Sequence, residues 1–310
     1  MPKGDIRMKF SVFTDMLGTE SFEESLQLAS QLGFSSVDVR AKLDGDTIDT
    51  ISMEKAQTCK QKLDQYKLQV ASVSSWAVNT CTFSGPPKYD NYDEAHHTAM
   101  DEVLERLFDL AHIFDAPYVR VYSLYRQENF HTLSEEKREE QYRHNASIMR
   151  RHAEHARQRN KYIVVENEPP TLTSNAEELG KLVAYANHPH LKINWDIING
   201  WRAQEYPTVE VYKHVKGHVW QTHLKGASRL SNSITEHNPH GNFGNFAIAG
   251  QDDYDHEPVI QAIAKNDPQA VMTIDTHYPS FYKQDQIGEV EAVRRTKAFF
   301  ESLVAKGGCS

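Results

Sequence analysis

The stretch Lys161–Pro170 reads KYIVVENEPP. Four β-branched or aromatic residues run into a carboxylate, and the paired prolines Pro169 and Pro170 then stop any regular continuation. This is the pattern of a buried strand that delivers its last residue, Glu166, to a rim. Three later stretches repeat it: LKINWD ends at Asp196, HVWQTHLKG carries His223, and QAVMTID ends at Asp275. Each follows a helical segment and precedes a turn. Four side chains of metal-ligand type therefore arrive at one place from four successive strand–helix units.

The rest of the chain keeps the same rhythm. MKFSVFT (Met8–Thr14) alternates as a first strand, and Ser35–Arg40, Leu68–Ser75 and Pro117–Ser123 follow as strands. Helices are expected over Ser21–Leu32, Thr47–Tyr66, Tyr92–Phe114, Ser134–Asn160 and Asn175–Asn187. Ser21 is the N-cap of the first, with Glu24 as its capping-box partner and Gly33 as its terminator. A short helix over Val209–Val215 precedes the strand His218–Leu224. A helix over Asp253–Lys265, the strand Ala270–Asp275 and a helix over Ile287–Val304 close the chain. Two long connections stand out, Asn79–Tyr92 with Gly85-Pro86-Pro87 in it, and Gly226–Gln251, rich in Asn, Ser, Gly and His. Long loops in compact domains are often functional, and the second is expected to be a mobile flap. Eight strand–helix units in alternation predict an α/β protein, a (β/α)₈ TIM barrel with its reactive residues at the C-terminal strand ends. No composition break divides it, so residues 1–310 are read as a single domain, with 305–310 a disordered tail.

Composition narrows the function. The chain has 310 residues, 39% hydrophobic and 25% charged, and a net charge of −9. An acidic balance argues against a protein that grips a nucleic-acid backbone or an anionic membrane surface. No apolar stretch approaches a membrane span, and MPKGDIRMKF lacks the hydrophobic centre of a signal peptide. The three cysteines, Cys59, Cys81 and Cys309, have no paired spacing. A cytoplasmic protein with free thiols is the expectation.

Glu-Asn after the fifth strand, Asp-x-x-Asn after the sixth and His-Leu-Lys after the seventh together resemble the xylose-isomerase-like barrels. More specifically they are similar to the sugar phosphate isomerase/epimerase group. The resemblance covers Val164 to His277, and the N-terminal half matches only in its βα rhythm. It implies one divalent metal at the barrel mouth, held by Glu166, Asp196, His223 and Asp275. At the last position the group usually has Glu, so this chain's acid is one methylene shorter.

Three carboxylates and an imidazole suit Mn²⁺, with Mg²⁺, Co²⁺ or Zn²⁺ also accommodated. Such a site polarises a carbonyl and acidifies the neighbouring carbon, which favours an enediolate. Glu166 and Asp275 come from different sides of the mouth and are the expected base and acid. Strand periodicity puts Glu168 on the face of Glu166, and His277 on the face of Asp275. Lys225 follows His223 in the same way. These three, with Asn199 and an apolar wall at Trp76, are the expected substrate contacts. Trp195 neighbours Asp196 and should face the helices. His152 and His155 are read as a solvated helix face, and His112 as a packed helix residue. His237 and His240 fall in the expected flap.

The leading expectation is a metal-dependent sugar or keto-sugar isomerase or epimerase, acting on a small molecule and compatible with a homo-oligomer. A lyase is the alternative, since the same enolate expels a β-leaving group in keto-inositol dehydratases and 3-keto-glycoside-cleaving relatives. The shortened Asp275 motivates it. A catalytically silent sugar-binding barrel is the third reading. The DNA-repair endonucleases of this fold use extra histidines for several zinc ions. Here Asp38, Ser74-Ser75 and Asn199 stand near the equivalent strand ends.

Overall fold

The structure is a computed structural model that describes residues 8–78, 92–277 and 287–307. The connection expected around Gly85-Pro86-Pro87 and the cysteines Cys81 and Cys309 lie outside the described residues. Eight parallel strands form the barrel: β1 (Lys9–Val12), β2 (Ser36–Val39), β3 (Gln69–Ser74), β4 (Tyr118–Val121), β5 (Tyr162–Glu166), β6 (Leu191–Asp196), β7 (Val219–Leu224) and β10 (Val271–Ile274). They are hydrogen-bonded in the order β1-β10-β7-β6-β5-β4-β3-β2, and a parallel bridge from Phe13 to Asp38 joins the two ends. The ring is nearly closed.

Around it run α1 (Phe22–Gln31), α2 (Met53–Gln65), α3 (Glu94–Ile113), α4 (Glu135–Gln158), α5 (Ala176–Ala186), α6 (Ile197–Arg202), α7 (Val209–Tyr212), α8 (Glu257–Asn266) and α9 (Glu289–Gly307). Several helices start where a short polar side chain satisfies a free backbone N–H. Ser21, Ser52, Ser134 and Asn175 each accept from the amide three residues on. The second helix therefore begins at Ser52, later than the expected Thr47. At the other end α9 runs to Gly307, three residues into the expected tail.

Outward-facing strand residues and the inner faces of the helices make the hydrophobic layer, with Val37, Val73, Val119, Ile163, Ile193 and Trp195 buried in it. Trp195 faces the helices as expected and stacks on Tyr212 at 5.9 Å. Inside the ring an apolar layer of Ala71, Tyr118, Val164 and Val271 fills the lower end, and the layer above it is polar. Asp38, fully buried, accepts from Ser11 Oγ at 2.5 Å, Gln221 Nε2 at 2.7 Å and Thr273 Oγ1 at 2.9 Å, and from Ser72. This layer forms the floor beneath the mouth.

Gly226–Gln251 is not the irregular segment its composition suggests. It carries β8 (Gly226–Arg229) and β9 (Phe243–Ala247), an antiparallel hairpin. Its crossing is tight, for a Cβ at Gly226 would lie 2.6 Å from the Ala247 carbonyl oxygen. The hairpin is anchored sideways. Trp201 Nε1 donates to Gly241 O at 3.0 Å, and His240 stacks on Tyr206 at 3.9 Å. Among the described residues no helix is long and apolar enough to cross a membrane.

Candidate metal centre

The strand ends bring the site together through register. A bulge between Ile193 and Asn194 sets Asp196 opposite His223, while Glu166 pairs with Asn194 and Thr273 with His223. A one-residue slip in any of these strands would turn its acid to the helix side. Asp196 is also fixed locally. Its Oδ1 caps α6 by accepting from Asn199 N at 3.0 Å, and its backbone N–H donates to Asn167 Oδ1 at 2.8 Å.

Glu166, Asp196 and His223 offer ligand atoms that all lie within 4.8 Å of one another, and all three side chains are buried. His223 Nδ1 lies 3.1 Å from Glu166 Oε1 and 3.9 Å from Asp196 Oδ2. Asp275 stands outside that 4.8 Å group, although its Oδ2 is also 3.9 Å from His223 Nδ1. This donor set, two carboxylates and an imidazole with all three side chains buried, fits a divalent cation.

Lys225 occupies the gap. Its ammonium is 2.7 Å from Asp196 Oδ2, 2.9 Å from Asp275 Oδ2 and 2.8 Å from His277 Nε2, and the residue is 2% exposed. Two arginines hold the outer acids. Arg120 Nε is 3.2 Å from Glu166 Oε2, and Arg40 Nη2 is 3.4 Å from Asp275 Oδ1 while its Nε pairs with Asp15 at 3.0 Å.

These neighbours decide the protonation states. Burial pushes Glu166 upward, but His223 at its Oε1 and the Arg120 guanidinium at its Oε2 outweigh it and hold the carboxyl below its ordinary range. Burial is likewise overcome at Asp275, which His277, Lys225 and Arg40 hold well below the usual carboxylate range. Lys225 is pushed down by burial and raised further by Asp196, Asp275 and Glu166, so it stays an ammonium. Glu168 goes the other way. Burial lifts it to about 7 against the pull of Arg202.

The remaining expected residues fall around this centre. Glu168 accepts from Asn199 Nδ2 at 2.9 Å and from Arg202 Nη1 at 3.2 Å. Asn199 spends its other contacts on Asn167 O, at 3.0 Å, and Arg202, at 2.8 Å, so it orients Glu168. His277 lies 3.0 Å from Asp275, at a φ of 53°, and stacks on Phe246 of the hairpin at 4.6 Å. Trp76 is half-buried and packs on Tyr122 at 4.9 Å, and Arg120 lies over the Tyr122 ring at 4.6 Å. Trp76 thus connects to Glu166 through Tyr122 and Arg120.

Sequence reading missed Arg40, Arg120, Asn194, Tyr122 and Phe246, and quoted Asn167 only as part of the Glu-Asn pattern. Part of the signal was there. Arg120 sits in YVRV with apolar neighbours, and Asn194 shares the parity of Asp196 in LKINWD. Phe246 had none, because only the hairpin folding back carries it over Lys225, at 5.2 Å from its ring centre.

A nearly closed parallel barrel with a carboxylate–imidazole centre at its C-terminal mouth defines a class of barrel enzymes, and comparison narrows it. The xylose isomerase-like TIM barrel family model matches residues 26–303, and the chain belongs to that family. It is 24% identical over 226 residues to a 3-dehydroshikimate dehydratase of Bacillus anthracis, covering 71% of this chain and 72% of that one. Its fold is similar to that of the IOLI protein with a binding zinc atom, at a TM-score of 0.72 and 14% identity, over 96% of this chain and 99% of the other. An L-ribulose 3-epimerase gives a TM-score of 0.69 at 12% identity, over 97% and 96%.

Proposed function

We propose that the chain is a divalent-metal-dependent isomerase or epimerase of a small sugar or keto-sugar, working by proton transfer through an enediolate. The observation that carries this is the meeting of Glu166, Asp196 and His223 within 4.8 Å at the barrel mouth, with Asp275 beside them. Mn²⁺ is the proposed ion, because carboxylate oxygens outnumber nitrogen in the donor set. Bound there, it would supply the Lewis acidity that polarises a carbonyl and acidifies the adjacent C–H.

The chain's own residues do the rest. Glu166 on β5 and Asp275 after β10 flank the centre from different sides, as removal and return of a proton on two faces requires. Lys225 and His277, 2.8 Å apart, stand on the Asp275 side, where a substrate oxygen would take over one of the three contacts that the Lys225 ammonium now makes to Asp196, Asp275 and His277. On the Glu166 side, Arg120 lies over Tyr122, which packs on Trp76. Glu168, clamped by Asn199 and Arg202, lines the rim.

A lyase is the second reading, and a specific observation favours it. Asp275 is short and is tied to Arg40, Lys225 and His277, which suits a fixed ligand better than a group that must reach a carbon. The dehydratase relative from Bacillus anthracis points the same way.

The test is a screen of keto-sugars and keto-glycosides in D₂O with the Mn²⁺-loaded protein, read by NMR. Carbon-bound deuterium with an isomeric product supports the isomerase or epimerase. Loss of water or of a glycosidic leaving group supports the lyase. A protein that binds metal yet exchanges no proton on any substrate would be the silent barrel, and the proposal would fail.

A further inference from the structure

Asn194 sits on β6 two residues before Asp196, faces the same way and is fully buried. Its Nδ2 lies 2.9 Å from His223 Nε2 and 3.4 Å from Glu166 Oε2, while its Oδ1 is buried with no hydrogen-bond partner. The other ring nitrogen, His223 Nδ1, looks at Glu166 Oε1, Asp196 Oδ2 and Asp275 Oδ2, at 3.1, 3.9 and 3.9 Å. The two nitrogens therefore have separate audiences, carboxylates at Nδ1 and one amide at Nε2.

A neutral imidazole carries a single N–H, and its position is set by what the other nitrogen meets. In the arrangement seen, Asn194 Nδ2 donates to Nε2, so the ring proton is on Nδ1 and donates to Glu166. That tautomer has no lone pair to offer a cation at Nδ1. Turning the amide half a revolution exchanges Oδ1 for Nδ2 at nearly the same point. An acceptor then stands 2.9 Å from Nε2, the proton moves there, and Nδ1 becomes a ligand. The orphaned Oδ1 means that nothing else pins the amide. The turn replaces the 3.4 Å donation to Glu166 with a carbonyl facing that carboxylate and leaves Nδ2 where Oδ1 had no partner, so it is favoured only when a cation at Nδ1 draws the ring proton to Nε2. Residues that hold the second N–H of a ligating histidine are a recurrent part of metal sites.

We propose that Asn194 is a positioning residue that selects the His223 tautomer, with its amide nitrogen toward Nε2 in the metal-free protein and its amide oxygen toward Nε2 when Nδ1 holds a cation. This rests on the metal reading above, and the experiment separates the two. Protein labelled with ¹⁵N at histidine is titrated with Zn²⁺, following the His223 ring nitrogens by two-bond ¹H–¹⁵N NMR, and Zn²⁺ affinity is measured for wild type, Asn194→Leu and Asn194→Asp. The expected result is an Nδ1–H tautomer without zinc and an Nε2–H tautomer with it. Asn194→Leu should lose about 10–100-fold in affinity, the usual worth of such a partner. Asn194→Asp, which keeps an acceptor, should stay within about tenfold of wild type. Unchanged zinc affinity in a folded Asn194→Leu, or a His223 tautomer that does not switch on zinc binding, overturns the tautomer assignment alone. Absence of any divalent-ion binding by wild type overturns the metal reading with it. Should Asn194→Leu not fold, the wild-type tautomers and Asn194→Asp still decide.

Discussion

Asp196 uses its two oxygens differently. Oδ1 caps α6, and Oδ2 faces Lys225 at 2.7 Å and His223 at 3.9 Å. Helix start and candidate ligand are thus one residue, and the cap leaves the other oxygen aimed at the centre. Glu166 is held just as firmly, between Arg120 and His223, so removing its charge also leaves the buried Arg120 without its counter-charge, and the stability of a variant is read beside its chemistry. Glu166→Gln keeps an oxygen at the centre and removes the basic group. It should retain bound Mn²⁺, by metal analysis, and lose deuterium exchange by about 10²–10⁴-fold. Near-normal exchange with metal retained would pass the base role to Glu168 or His277, which Glu168→Gln and His277→Gln would then distinguish. Asp275→Glu restores the longer acid usual in the related group. If Asp275 serves a lyase as a fixed ligand, this variant should gain exchange between epimeric positions, read in the same NMR assay. A wild type already exchanging at full rate would remove that motive.

At the scale of elements, the contact between α3 and α4 carries an unexpected row of imidazoles. His152 is fully buried and lies 3.5 Å from Asp101, and His97 is 3% exposed with neither ring nitrogen hydrogen-bonded. His112, expected to pack, is exposed instead. The inward face of α4 was misread because its few apolar residues, Ala146, Ile148, Met149, Ala153 and Ala156, are small or scattered among charged ones. His144, His155, His96 and Arg151 face the same seam, with Asp101 and Glu94 as its acids. Burial lowers both His97 and His152 below their ordinary value of 6.5, Asp101 opposing it at His152. The unfolded chain therefore takes up these protons first as pH falls. Their contribution to stability is complete above about 6.5 and is lost as pH drops through the folded-state values. Urea unfolding at about pH 7.5 and about pH 5.5 should show wild type losing stability, and His152→Leu losing less. The β8–β9 hairpin makes the opposite case. Its composition reads as a flap, yet Trp201, Tyr206 and Phe246 tie it down. Amide exchange should be slow at β8 and β9 and fast near Leu230 and Ile234, which are 52% and 55% exposed. Fast exchange throughout would restore the flap.

For the whole molecule, the mouth is a dense set of charges on strands that would otherwise lie far apart in the chain. Glu166, Asp196 and Asp275 are neutralised by Arg120, Lys225 and Arg40, so a cation bound by the folded state alone would displace the Lys225 ammonium from Asp196 and Asp275. Mn²⁺ at about a hundred times its dissociation constant should stabilise the protein by about 2.7 kcal/mol. The corresponding rise in Tm, reversed by a chelator, is measurable by calorimetry. A Tm indifferent to Mn²⁺, Mg²⁺, Co²⁺ and Zn²⁺ would count against a metal centre.

The barrel was legible in the sequence because its signals are local. Strands of β-branched residues, caps such as Ser21 and Asn175, and acids placed last before a turn repeat often enough to fix the architecture. The same parity put Glu166, Asp196, His223 and Asp275 on the inward face. What lies between the strands was not legible. That Lys225 fills the gap between Asp196 and Asp275, that Arg120 and Arg40 hold the outer acids, and that Phe246 roofs His277 all depend on register and closure. Local periodicity says which face a side chain takes. Only the closed ring, joining β1 to β2 and folding the hairpin back over β7, says whom it meets.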